Sequence, residues 1–308
     1  AAQRGGMSGL APSAAPRRRL SPRRGQGGRD AGMRILLWYW GRRGAGGQMT
    51  LALAEALARR PEVAVALSLS AQADLVEETA ALGLPTERMP TYAGAAGFVL
   101  GTLRVPLLRR RLIRQARGFR ADVVVSVMTH LWTPLVAPGL RRAGIPFVPI
   151  VHDAAPHAGD PAALWDWRLD RELDAATGAI ALSESVAAAL RARRPGLPIA
   201  RLPLGAHLPA ALLAAAARAP AGEGAPRFLM FGRLLPYKGL DLLRDAWPLL
   251  RARHPGATLR VVGEGDAERL APGLAALPGV AVEPRWAGEA EMPSLLAGAD
   301  ALVLPYRE

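Results

Sequence analysis

From Met33 onward the chain alternates short apolar runs with stretches of helical periodicity, and this alternation constrains the fold more than any other feature. Runs of Val, Ile and Leu without polar interruption are buried on both faces, which points to parallel strands covered by helices. Strands are predicted at 34–40, 63–69, 122–127, 146–151, 178–182 and 199–204. Gly205 to Pro226, rich in Ala, Pro and Gly, reads as a linker. A second series follows, with strands at 227–231, 258–262, 279–283 and 301–304 and helices at 239–253, 267–276 and 289–298. The expected fold class is α/β, with two Rossmann-like, doubly wound parallel-sheet domains at 33–204 and 227–308 joined by 205–226. A sheet that stops on a buried strand leaves an edge unpaired, so the second domain is expected to be incomplete and loosely packed.

Residues 1–32 hold Gly, Pro, Ser, Ala and Arg without apolar periodicity, so they are expected to be disordered, with Met33 as the natural start. The net charge of +13 raises the question of a nucleic-acid partner. Seven Arg against one Asp lie in 1–32 and seven Arg with no acid in 98–120, which leaves the remaining residues neutral in sum. No nucleic acid is therefore expected as a partner. The absence of cysteine excludes disulfides and thiolate metal sites. The apolar stretch Ile35 to Trp40 is too short for a signal peptide, and Val123 to Leu140 carries Ser126, Thr129, His130, Pro134 and Pro138, so neither export nor a membrane span is expected.

Gly41-Arg-Arg-Gly44-Ala-Gly46-Gly47-Gln48 connects the first strand to a helix over 49–60, a turn that lets backbone amides approach an anion. Met49 stands where the dinucleotide fingerprint needs glycine, and the second strand ends in Ser68 and Ser70 without an acid, which disfavours a nicotinamide oxidoreductase. A purely structural turn stays open. Val151-His152-Asp153-Ala-Ala-Pro156-His157-Ala-Gly159-Asp160 ends another strand, where open sheets bind ligands. Pro156 and Gly159 break any helical ligand spacing, so the reading is a hydrogen-bonding site for sugar or acceptor, contacted by His152, Asp153 and His157, with no metal. A capped loop is the alternative.

Phe228-Leu-Met-Phe231-Gly232-Arg233-Leu-Leu-Pro236-Tyr237-Lys238-Gly239 opens a strand into a turn and then a helix. Two cations and a helix N-terminus meeting there suit a diphosphate. Lys238 is the only lysine among 39 basic residues, which hints at a need for a compact ammonium.

The segment resembles the F-G-R-x-x-x-x-K-G-x-D-x-L signature of family 4 retaining glycosyltransferases. Val261-Val-Gly263-Glu264-Gly265 and Ala299-Asp300-Ala-Leu-Val-Leu304-Pro305 fit the same pattern, over residues 33–308. The resemblance implies a GT-B fold, two domains facing a cleft, and sugar transfer with retained configuration and no bound metal or cofactor. It implies a nucleotide-sugar donor and a glycan, lipid-linked or small-molecule acceptor, in bacterial polysaccharide or glycolipid synthesis in the cytoplasm. Arg233 and Lys238 would neutralise the leaving diphosphate, and His152 would contact the sugar. Gly46, Gly47 and Gly232 would admit the donor phosphates, and Glu264 with Gly265 would lie near the nucleoside. Glu308 would stand at or just before the first of the family's paired glutamates. The second glutamate and the last helix would be missing, so a non-catalytic nucleotide-sugar-binding fragment is the alternative.

Phe98 to Arg120 pairs Phe98, Val99, Leu103, Leu107, Leu108, Leu112, Ile113 and Phe119 with its seven Arg. The pattern predicts an interfacial helix, kinked at Pro106, lying on an anionic membrane surface on the inner face of the membrane. A partly buried helix of the first domain is the alternative.

Overall fold

The computed structural model describes residues 32–156, 161–204, 224–288 and 291–307. The arm, most of the linker, His157, Asp160 and Glu308 lie outside these residues.

Two all-parallel sheets form. The first has seven strands in the order β3-β2-β1-β4-β5-β6-β7. These are β1 Met33–Tyr39, β2 Val63–Ser70, β3 Thr86–Met89, β4 Val123–Ser126, β5 Phe147–Val151, β6 Ala179–Ala181 and β7 Ile199–Arg201. Its helices are α1 Ala45–Ala58, α2 Val76–Ala81, α3 Ala95–Thr102, α4 Val105–Phe119, α5 Thr133–Arg142, α6 Ala162–Ala175 and α7 Glu184–Arg193. The second sheet has the order β10-β9-β8-β11, from β8 Arg227–Phe231, β9 Thr258–Val262, β10 Val280–Glu283 and β11 Ala301–Leu302. Its helices are α8 Leu240–Arg253, α9 Ala267–Leu270 and α10 Met292–Ala297.

Alternation along β1 explains the double covering. Leu36, Trp38 and Trp40 face Leu108 and Leu112 of α4 and Val136 and Leu140 of α5. Ile35, Leu37 and Tyr39 face Met49 and Ala54 of α1. Each face therefore has its own core, as a buried parallel sheet requires. The second sheet is covered less evenly: Met230, Leu259 and Val261 pack with Leu240, Leu243 and Trp247, whereas the opposite face buries only the small cluster Leu229, Val262 and Leu295.

Both strand orders reverse direction, between β1 and β4 in one sheet and between β8 and β11 in the other. At such a point neighbouring loops diverge and leave a crevice at the carboxyl ends of the strands.

Three sequence expectations change. β3 was missed because Thr86-Glu-Arg-Met89 is polar and flanked by Pro85 and Pro90, and its place at the sheet edge tolerates that composition. The helix expected over 267–276 stops at Leu270, because Pro272 lacks a donor and Gly273 turns left-handed at φ 78°, and a 3-10 turn follows at Leu274–Ala276. The single kinked helix expected over 98–120 is two helices, and Pro106 stands in the first turn of α4, where proline needs no donor. Leu108 and Leu112, expected on a membrane face, are buried in the first core.

Candidate functional site between the two sheets

A cavity of about 440 Å³ opens between the carboxyl ends of the two sheets, at the β1/β4 reversal on one side and over the ends of β8 and β9 on the other. Gly44, Ala45, Gln48 and Met49 line it from the first turn of α1, with Met128 following β4, His152 following β5, and Leu204. The second sheet contributes Phe231, Gly232, Val262, Gly263 and Glu264, and Trp286, Ala287, Met292 and Pro293 complete the wall.

Glycine chemistry shapes both sides. Gly44 caps α1 with φ 89° and lines the cavity, and an added Cβ there would meet nothing, so the start of the helix borders the cavity without a side chain at that position. Gly46 and Gly47 are buried beneath that turn. A Cβ on Gly46 would fall 2.6 Å from the Tyr39 ring and 3.0 Å from Met128 Sδ, and one on Gly47 would fall 2.8 Å from Leu75 Cδ1. These two glycines let α1 settle on β1, and of the three it is Gly44 that faces the cavity. Tyr39, whose hydroxyl donates to Arg43 O at 3.3 Å, has its pKa pushed up to about 12, first by burial and then by Asp74.

On the other side, the loops after β8 and β9 are laced together. Leu234 N donates to Glu264 O at 2.8 Å and Gly232 N to Val262 O at 3.0 Å. A Cβ on Gly263 would lie 1.9 Å from Gly232 O, and one on Gly265 2.6 Å from Leu234 O. Only glycine permits that approach, which holds Glu264 at the cavity rim.

His152 is half-exposed, with Nδ1 3.7 Å from the Asp153 carboxylate. That carboxylate raises the imidazole pKa by hydrogen bonding and charge, against an opposing effect of partial burial. Gly232, Glu264 and His152 thus line one cavity, whereas Asp153, Gly265, Arg233 and Lys238 are not among its lining residues. Arg233 is exposed immediately after Gly232, and Lys238 ends a 3-10 turn, Pro236–Lys238, before α8. Lys238 Nζ donates to the Tyr306 hydroxyl. Gly239, left-handed at φ 68°, joins the turn to α8 beneath Pro305 O, which a Cβ would approach to 1.9 Å.

Sequence reasoning missed Trp286 and Tyr306, which stand in no recognisable motif. It also missed two buried polar side chains at the loop that follows Met128, Glu172 through its bond to Thr129 and His130 within the loop itself. Glu172 is fully buried and accepts from Thr129 Oγ1 at 3.0 Å. His130 Nδ1 accepts from Trp132 N at 3.1 Å, and burial pushes its pKa down to about 4. Among the described residues no group of three or more His, Asp and Glu could hold a metal, and no helix is long and apolar enough to cross a membrane.

Residues 46–208 match the family described as Glycosyltransferase Family 4, and residues 225–308 match the one described as Glycosyl transferases group 1. No curated protein matches the sequence. Among solved structures, Anabaena HepE in complex with UDP and glucose is similar at 17% identity and TM-score 0.62, covering 88% of this chain and 73% of HepE. A glycosyltransferase from Rickettsia africae has 13% identity and TM-score 0.58, covering 90% and 74%. The UDP-GlcNAc 2-epimerase of Neisseria meningitidis, bound to UDP-GlcNAc, has 11% identity and TM-score 0.56, covering 86% and 75%. At these identities the likeness establishes the GT-B fold alone, which hosts more than one chemistry.

Proposed function

We propose that this chain, which belongs to Glycosyltransferase Family 4, moves a sugar from a nucleoside-diphosphate donor to an acceptor hydroxyl with retention of configuration. The observation that carries the reading is the cavity between the carboxyl ends of the two sheets, with the N-terminus of α1 on one wall and the loops after β8 and β9 on the other. Helix amides and a loop bearing Arg233 and Lys238 are the chemistry a diphosphate needs. In the reaction the bond from the anomeric carbon to the diphosphate oxygen breaks, the acceptor oxygen bonds to the same face of that carbon, and the acceptor proton leaves with the diphosphate.

Arg233 and Lys238 neutralise charge that grows on the leaving group, so their effect is larger in the transition state than in the bound donor. His152, raised in pKa by Asp153, donates a hydrogen bond to the sugar. Gly44 takes the phosphate-facing part expected of Gly46 and Gly47, and Glu264 with Gly265 sits beside the nucleoside. The division of labour is an acceptor domain at 33–204 and a donor domain at 227–308, joined by 205–226. UDP-sugars are the first donors to test, because HepE and the epimerase were solved with uridine nucleotides. The acceptor class is a glycan or lipid-linked saccharide made on the cytoplasmic side of a bacterial membrane.

Thermal shift with UDP-, GDP- and ADP-sugars, followed by proton NMR of the product anomer, tests the proposal. A stabilising donor and a product of unchanged anomeric configuration are expected. No shift with any nucleoside diphosphate would overturn the donor site, and an inverted product would overturn retention.

A further inference from the structure

The corner between α3 and α4 presents aliphatic side chains that nothing among the described residues covers. Val99, Leu100, Leu103 and Leu107 are 67, 65, 80 and 58% exposed, and Pro106 stands exposed among them. This is not a frayed end, because the inner side of the corner is tightly held. The Phe98 ring stacks on Trp132 at 5.7 Å, Trp132 Nε1 donates to Thr102 Oγ1 at 3.1 Å, and a Cβ on Gly101 would fall 2.7 Å from the Trp132 ring. Val105, Leu108 and Leu112 fix the start of α4 in the core. The exposed side chains are therefore presented outward by a rigid support, and isolated surface leucines do not usually cluster in this way.

Charge around the corner identifies the occupant. No Asp or Glu occurs between Glu87 and Asp122. Arg111 is taken by Glu87 at 2.9 Å, and the Arg109 side chain packs over Gly139. Arg104, Arg110 and Arg114 remain exposed beside the aliphatic tip. A second copy of the chain meeting this surface about a two-fold axis would bring the same guanidinium groups together, which opposes association. A bilayer with anionic headgroups accepts both features at once: the acyl boundary takes the leucines and the phosphates take the arginines.

We propose that the α3–α4 corner docks the protein on an anionic bilayer, with Leu103 and Leu107 inserted and Arg104, Arg110 and Arg114 at headgroup level. This goes beyond the donor site, and its readout is independent of sugar transfer. The full chain is sedimented with phosphatidylcholine vesicles containing phosphatidylglycerol and with phosphatidylcholine vesicles alone. Binding is expected to the anionic vesicles only, falling by roughly tenfold between about 0.1 M and about 0.5 M salt. Leu103→Ser with Leu107→Ser is expected to weaken binding by roughly 100-fold. Leu249→Ser, a change at another exposed leucine on α8, is expected to leave it unchanged. Both sites are surface positions, so circular dichroism of the variants is expected to match the parent. Equal binding to neutral vesicles, no binding to either, or undiminished binding of the double-serine variant would overturn the proposal. So would a stable dimer, seen by sedimentation velocity without lipid, that the same two changes dissolve.

Discussion

Lys238 Nζ sits 3.9 Å from the centroid of the Tyr306 ring, donates to its hydroxyl, and has the Tyr237 ring 5.1 Å away on another side. The two tyrosine rings meet edge to face at 5.8 Å. Strand order brings these residues together: β8 and β11 are neighbours, so the loop after β8 and the segment after β11 leave the sheet side by side. Arg307 N donates to Tyr237 O, and the Arg307 side chain pairs with Asp241 in the first turn of α8, which fastens that segment to the lysine turn. A flexible ammonium is thereby held in one place before any donor arrives.

Tyr306 is accordingly expected to act as a positioning residue. Tyr306→Ala removes both the aromatic face and the hydroxyl, and is expected to weaken nucleoside-diphosphate affinity by roughly twofold to fivefold, the size of an exposed cation–π contact. Tyr306→Phe keeps the face and is expected to fall between that variant and the parent. Isothermal titration with the diphosphate and with the nucleoside alone checks this. Equal losses for both ligands would mean that Tyr306 supports the fold instead of the lysine.

Gly239→Ala is expected to destabilise the second sheet region by about 2–5 kcal/mol, because φ 68° and the approach of Pro305 O both exclude a Cβ. Urea denaturation measures it. Gly44→Ala, with open space around its Cβ, incurs only the backbone cost of φ 89° with ψ −164°, about 1–3 kcal/mol. A ranking in the opposite order would contradict the close contact at Pro305.

Glu172 predicts a pH dependence of stability. Burial pushes its carboxyl up from 4.5 to about 8, while the Thr129 hydroxyl and the Arg168 charge pull in the other direction. The folded state therefore holds the proton more tightly than the unfolded chain does. That contribution is complete below pH 4.5 and is lost as pH rises through about 8. His130 works oppositely: its folded pKa near 4 lies below 6.5, so its contribution is present above pH 6.5 and lost as pH falls toward 4. Above pH 6.5 the His130 contribution is constant, so wild-type stability is expected to decline from there to pH 8 through Glu172 together with His152, whose raised pKa acts in the same sense. Glu172→Gln is expected to flatten that decline in denaturation curves. Parallel curves for the two proteins would rule the effect out.

The parallel sheets were legible in the sequence because a strand buried on both faces leaves a short unbroken run such as Ile35 to Trp40, rich in Ile and Leu and followed by a glycine turn. β3 was not, since an edge strand needs one buried residue, Met89, and carries polar ones elsewhere. The site was half legible. Gly232, Glu264 and His152 belong to motifs at strand ends, and they line the cavity. The glycine loop was legible as a loop, yet which glycine faces the ligand depends on where Tyr39 and Leu75 press on α1, a tertiary fact without local trace. The apolar corner was misread for a related reason. An amphipathic pattern with a wide apolar face does not say which of its leucines the core takes, and the contact of α4 with β1 and α5 decides that Leu108 and Leu112 go in while Leu103 and Leu107 stay out.

Arg233 and Lys238 carry the functional reading, and their exposure makes the test clean. Arg233 lies on the surface and half-buried Lys238 sits against the side chains of Tyr237 and Tyr306, so truncating either is expected to cost at most about 0.5 to 1 kcal/mol of stability. If both act on the leaving diphosphate, their electrostatic effect grows as the bond to the anomeric carbon breaks. Lys238→Ala is then expected to lower the single-turnover rate by roughly 100-fold or more with the fold intact. Lys238→Arg is expected to rescue only part, because a planar guanidinium does not fit between Tyr306 and Tyr237 as a compact ammonium does. Affinity for the nucleoside diphosphate is expected to fall in both variants, while affinity for the nucleoside stays within about twofold, as a role confined to the diphosphate requires. Wild-type turnover by a folded Arg233→Ala, Lys238→Ala double variant would remove these two residues from the reaction.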